Sequence, residues 1–172
     1  MKKIFYSLFI ILCFVLVTKE LHSEQHIYDE AQRQITCLAK NIYYESATES
    51  DEGKKAVAQI TVNRVNSGKF SDTICGVVEQ RKTTNGNLSC QFSWFCKNQK
   101  PIEFNSNEWK TSLTIAKKLL TSSVFHTKLY KENALYYHAD YVNPKWYKLA
   151  KEKQIGRHIF YKSDRDRIEK GI

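Results

Sequence analysis

Two apolar stripes of helical period, joined by a short run of acids and hydroxyls, constrain this chain more than any other feature. Ile35, Leu38 and Ile42 recur at the spacing of one helix face, with Ala39 beside them. Ala56, Val57 and Ile60 form a second stripe, with Val65 just beyond the next turn. Between them lies Ser46-Ala47-Thr48-Glu49-Ser50-Asp51-Glu52-Gly53. Ser50 or Asp51 suits the N-cap of the second helix, and the acids of its first turn suit the helix dipole. The pattern predicts two helices meeting at an acidic corner, with Glu45 at the end of the first beside Tyr43 and Tyr44. A carboxyl group held against aromatic surface has its pKa raised and keeps a proton to donate. Taken by itself, such a glutamate is ordinarily a solvated helix-end residue.

The 172 residues allow one domain with an ordinary core. Residues 1–23 stand outside it. Lys2 and Lys3 precede an apolar run from Ile4 to Val17, broken by Ser7, which reads as a secretory signal. The run is shorter than the roughly 20 apolar residues of a membrane span. Leu21-His22-Ser23 is the best cleavage site, and an uncleaved anchor is the alternative. Cys13 is no lipid-attachment cysteine, because Leu12 before it is not small. The domain, residues 24–161, is expected outside the cytoplasm, in the periplasm, the wall or beyond, followed by a charged tail over 162–172.

Export makes the cysteines informative. Without Cys13, four remain: Cys37, Cys75, Cys90 and Cys96. An even number in an oxidising compartment predicts two disulfides, with three pairings open. Cys90 and Cys96 bracket a short segment that one bond could pin. No C-x-x-C spacing is present, and no metal or cofactor is expected.

The net charge of +9 becomes +7 without the signal, from 24 basic and 17 acidic residues. A basic exported domain is drawn to polyanions such as wall polymers. Nucleic acid is excluded by the signal and by the lack of any nucleic-acid motif.

Along the domain, Ser67-Gly68 stops the second helix, and Phe70, Ile74, Val77 and Val78 suggest a short buried helix or turn near Ser71. Residues 81–89 show no periodicity and carry an Asn-Gly turn signal, which predicts a flexible rim. In Cys90-Gln91-Phe92-Ser93-Trp94-Phe95-Cys96, two readings stand. One is a disulfide-closed hairpin with core aromatics. The other is a sugar subsite in which Gln91 and Ser93 hydrogen-bond and Phe92 or Trp94 stacks. Asn105 with Glu108 resembles a capping box for a helix with an apolar face of Trp109, Leu113, Ala116, Leu119 and Leu120. Residues 134–138 read as a strand, 143–146 as a turn into a short helix, and 155–161 as a closing strand.

The string from Glu45 to Val65 resembles the core motif of the SleB-type cell wall hydrolase family. Glu45, Glu49 and Gly53 fall on its acidic frame, and Ala56, Val57, Ala58, Asn63, Arg64 and Val65 follow in register. Ser46 and Ala47 depart from it, since Ala and Arg are common there, and the contact that arginine makes is in doubt here. The Glu45-Ser46 pair is similar to the glutamate-serine pair of lytic transglycosylases. Thr73, Cys75, Gly76, Val77 and Val78, then Cys90, Gln91, Phe92, Ser93 and Cys96, match exported members of the group. Tyr137, His138, Pro144, Trp146, Ile155, Gly156, His158, Phe160 and Tyr161 match its C-terminal signature.

The resemblance implies a lysozyme-like α+β fold, mainly helical with a small sheet. It also implies cleavage of the β-1,4 bond between N-acetylmuramic acid and N-acetylglucosamine in peptidoglycan glycan strands, by a monomer. Glu45 is the expected general acid/base. Ser46, Glu49, Gln91, Phe92, Ser93, Tyr137 and His138 are expected substrate contacts. Glu49 is four residues from Glu45, about 5–6 Å away if the helix continued, and so on the same wall of a cleft. It is expected to support the site, not to complete a carboxylate pair. Asp140 is a second carboxylate only if the fold brings it close. His138 reads either as a substrate donor or as a core histidine, and His158 as structural. Two other classes stay open: an envelope thiol peptidase or amidase with Cys37 as nucleophile and His138 as base, and a non-catalytic wall-binding module.

Overall fold

The computed structural model describes residues 2–122, 133–144 and 151–162. The chain divides into two compact units, residues 1–33 and 34–172. Helix α1 (Lys2–Ser46) contributes to both. In the first unit its described side chains are exposed or half-buried, and Gln25–Asp29 and Arg33–Glu30 contacts lie along its surface. Among the described residues, no helix is long and apolar enough to cross a membrane.

The second unit is built around helix α2 (Asp51–Asn66), eleven of whose sixteen residues are buried. Ser50 is its N-cap, accepting from the Gly53 amide at 3.2 Å, and Asp51 and Glu52 occupy its first turn. The acidic corner is therefore a helix start. Ile35, Leu38, Ala39 and Ile42 of α1 pack with Ala58 and Val62 of α2, with helix α3 (Ile74–Val78), and with Trp109, Ile115, Ala116 and Leu119 of helix α4 (Asn107–Thr121). Fully burying a side chain such as Leu38 or Ile42 contributes about 2–3 kcal/mol. The other side of α2 presents Ala56, Val57 and Ile60 to Ala134, Ile155 and Phe160 of a three-stranded antiparallel sheet.

That sheet has the order β3-β5-β4, numbering its strands β3 (Ala134–Ala139), β4 (Lys151–Ile155) and β5 (His158–Lys162) after an earlier hairpin. The stretch 155–161 is thus not one strand. Gly156, at a φ of +56°, turns the chain between β4 and β5. The earlier hairpin is β1 (Arg81–Thr84) with β2 (Asn87–Cys90), in place of the expected flexible rim. Asn85 and Gly86 both have positive φ, 51° and 77°, which matches the twist of a two-residue hairpin turn. Both faces of this ribbon are almost wholly exposed, so no alternation of apolar residues could announce it.

Smaller adjustments are local. Segment 93–96 forms a single 3-10 turn, not a hairpin. The cap of α4 is Ser106, one residue beyond Asn105, accepting from the Trp109 amide at 3.1 Å. Leu113 is exposed, and Ser112 takes its place on the buried face. Disulfides join Cys37 to Cys75 and Cys90 to Cys96. Lys145 and Trp146, and the tail beyond Lys162, lie outside the described residues.

Candidate active site

Glu45 stands on the last turn of α1, where it lines an open cavity of about 690 Å³. Other lining residues come from β3, the loop after β2 and the start of β5. Strand β3 is held to α2 by side chains that reach its main chain. Asn63 Nδ2 donates to the Ala134 carbonyl at 2.9 Å, and Arg64 Nε donates to the Leu135 carbonyl at 2.9 Å. Gln59 bonds Asn63 one helical turn back, at 3.1 Å. The next residues of β3 then face Glu45, and the Tyr137 hydroxyl donates to Glu45 Oε2 at 2.9 Å.

The environment of Glu45 works both ways on its proton. Burial raises its pKa, while the Tyr137 hydrogen bond and the positive charges of Arg64 and Lys97 pull it down; burial prevails. Tyr137 is itself pushed well above the ordinary phenol range, chiefly by burial and then by the Glu45 charge. Its hydroxyl therefore stays a donor. Arg64 is buried between Phe70 and Phe92, with its guanidinium carbon 5.2 and 5.1 Å from the two ring centres. Its Nη1 has no hydrogen-bond partner among the described residues. Burial draws its pKa down, countered by Tyr137, Tyr136 and Glu45.

Of the expected contacts, Gln91, Phe92, Ser93, Tyr137 and His138 line the cavity with Glu45. Two are placed elsewhere. Ser46 is buried, and its hydroxyl donates back to the Ile42 carbonyl at 2.8 Å. Glu49 turns to the β4–β5 turn, where Oε2 accepts the Arg157 amide at 3.2 Å. A Cβ on Gly156 would lie 1.9 Å from that oxygen, so a larger residue would displace the Glu49 carboxylate, and the φ of +56° itself favours glycine. Glu49 thus fastens the last hairpin to the acidic corner. Asp140 lies 3.5 Å from Arg157 Nε and is likewise outside the cavity wall. Among the described residues lining the cavity, Glu45 is the one carboxylate.

His138 has both ring nitrogens engaged. Nδ1 faces the Ala139 carbonyl at 2.8 Å and must donate to it, so in the neutral ring Nε2 accepts the Tyr161 hydroxyl at 2.9 Å. Cys37 is bonded to Cys75, which leaves the thiol alternative without a nucleophile. Glu79 completes the one grouping of metal-ligand residue types found among the described residues, but two of its three members are these bonded sulfurs.

Residues 48–161 match the family described as Cell Wall Hydrolase. The chain belongs to the SleB-type cell wall hydrolases. A spore cortex-lytic enzyme of Oceanobacillus iheyensis is 31% identical over 137 residues, 77% of this chain and 42% of that relative. The chain therefore spans less than half of that protein's length. The catalytic domain of Bacillus cereus SleB is 29% identical, with a TM-score of 0.53 over 76% of this chain and 91% of that one. The catalytic domain of the germination-specific lytic transglycosylase SleB from Bacillus anthracis is 28% identical, with a TM-score of 0.54 over 76% and 95%. These structures carry the same mainly helical α+β fold.

In this cell wall hydrolase the family match starts at Thr48, three residues after Glu45, so the part played by Glu45 rests on its surroundings. Of those surroundings, the sequence offers Trp94 as a stacking residue but does not mark His158 or Arg64 as site residues. Trp94 stacks on Tyr44 at 4.6 Å and donates to buried Asn41 at 2.9 Å, which ties the disulfide-closed segment to α1. His158 lines the cavity edge-on to Tyr137, and burial lowers its pKa. Arg64 had one legible sign, its place in register on the family motif; in the last turn of α2 a cation by itself merely suits the helix dipole.

Proposed function

We propose that this chain is an exported lytic transglycosylase that cuts peptidoglycan strands between N-acetylmuramic acid and N-acetylglucosamine, with Glu45 as its general acid and base. The observation that carries the reading is the lone Glu45 carboxylate in the cavity, half-buried and held by Tyr137 at 2.9 Å. A glycosidase that activates water needs two carboxylates on either side of the sugar. A transglycosylase needs one. With Oε2 accepting from Tyr137, the transferable proton belongs on Oε1. It passes to the glycosidic oxygen as that bond breaks and an oxocarbenium-like centre develops at the muramic acid. The carboxylate then takes the proton from the muramic acid 6-hydroxyl, whose oxygen closes a 1,6-anhydro ring, and Glu45 is again protonated.

The lytic transglycosylase description of the Bacillus anthracis domain supports the reaction, and the wall-lytic family supports the substrate. Residues 1–23 act as the export signal, and the catalytic unit works as a monomer over residues 24–161. Gln91 and Ser93 offer hydrogen bonds to the sugar, and Phe92 an apolar face, around Tyr137 and His138. Digestion of purified peptidoglycan by the chain and by Glu45→Gln, read by mass spectrometry, tests this. Anhydro-muropeptides from the first and none from the second are expected. Reducing ends without the anhydro ring, or cut stem peptides with intact glycan, would refute it.

A further inference from the structure

We propose that Tyr141 is a sugar-stacking platform at the rim of the cavity, with Arg157 as its positioning residue. The proposal rests on the glycan reading above and adds the residue that grips the strand away from the cut. Tyr141 lines the cavity yet is 75% exposed, more than any other described aromatic side chain of the second unit. It follows β3 in a turn closed by the Val142 amide on the Ala139 carbonyl at 2.8 Å. The Arg157 guanidinium carbon lies 5.0 Å from its ring centre and covers one face. With that face covered, so high an exposure belongs to the other face and the ring edge.

The Arg157 side chain is exposed, but its main chain is held. Its carbonyl accepts the Asp140 amide at 2.7 Å, its Nε lies 3.5 Å from Asp140 Oδ1, and its own amide is held by Glu49 at 3.2 Å. The ring is thus backed by a guanidinium that rises from a main chain held at two points and pairs once with Asp140, which limits the ordering a ligand has to impose. The sugars of a β-1,4-linked N-acetylhexosamine strand carry equatorial substituents, so their faces present C–H groups that pack on an aromatic ring. Glu49 is then a positioning residue at one remove, acting on the glycan through Arg157.

The test uses the full chain with Glu45→Gln to stop turnover. The probe is a peptidoglycan glycan strand of defined length freed of its peptides, titrated by calorimetry. Adding Tyr141→Ala is expected to weaken binding about tenfold, while Tyr141→Trp stays within about twofold of the parent. Arg157→Ala is expected to weaken it several-fold, with an unchanged far-ultraviolet spectrum. In the chain with Glu45 intact, Tyr141→Ala raises KM and leaves kcat near its original value. Equal affinities for the parent and its Tyr141→Ala derivative would overturn the platform alone. A parent that binds no glycan strand would overturn the glycan reading and the platform together.

Discussion

Burial raises the pKa of Glu45 against three groups that favour the ionised form, and the balance has consequences in stability as well as in rate. Burial raises its folded pKa, so the folded chain binds this proton more tightly than the unfolded chain. The resulting stabilisation is complete below the unfolded carboxyl value of about 4.3 and is lost as pH rises through the higher folded value. Glu45→Gln keeps an acceptor for Tyr137 without the buried charge. In urea titrations it should match the parent at pH 4 and be the more stable protein at pH 7. A variant less stable at both would contradict the account. Tyr137→Phe removes a contact that lowers the Glu45 pKa. Its alkaline limb of activity should therefore move to higher pH, with kcat reduced; an unmoved limb would detach Tyr137 from the acid. At this scale the sequence pointed to Glu45 and the residues of the loop after β2, which the fold brings to one cavity, because a carboxyl beside aromatics and a polar-aromatic cluster are local patterns. It misplaced Ser46 and Glu49, because a side chain's direction is decided by partners such as Ile42 and Arg157 that no local pattern names.

Elements are joined here by side chains bonding to main chain. Strand β3 packs on α2 through Ala134, and Asn63 and Arg64 of α2 add bonds to its main chain. Asn63→Ala leaves the buried Ala134 carbonyl without this donor and should cost about 1–3 kcal/mol in a denaturant titration. Gly156→Ala meets two obstacles, a left-handed backbone and the Glu49 carboxylate at 1.9 Å. It should cost at least about 1 kcal/mol and raise amide exchange across the β4–β5 turn. Helices α2 and α4 could be read from the period of their apolar residues, and α2 from its cap as well. The β1–β2 ribbon and the β4–β5 turn could not, because the first buries neither face and the second depends on one glycine meeting one glutamate.

Over the whole molecule, the Cys37–Cys75 disulfide joins positions 38 residues apart and ties the helix of the acid to α3. Replacing both cysteines by alanine should lower stability by about 4 kcal/mol, measured as a shift in denaturant midpoint. A negligible shift would show that the packing of α1 on α2 holds the acid unaided. The mainly helical α+β architecture was legible through the motif blocks, since these carry the order of the elements. The cavity was not, since its walls come from segments scattered along the chain. That scatter bears on the safety of the cell that makes such an enzyme. The acid and the tyrosine that holds it are 92 residues apart, and the cavity is completed only when His158 arrives with the final strand. On the proposed reading as an exported enzyme, a chain still crossing the membrane would carry Glu45 without the assembled cavity around it.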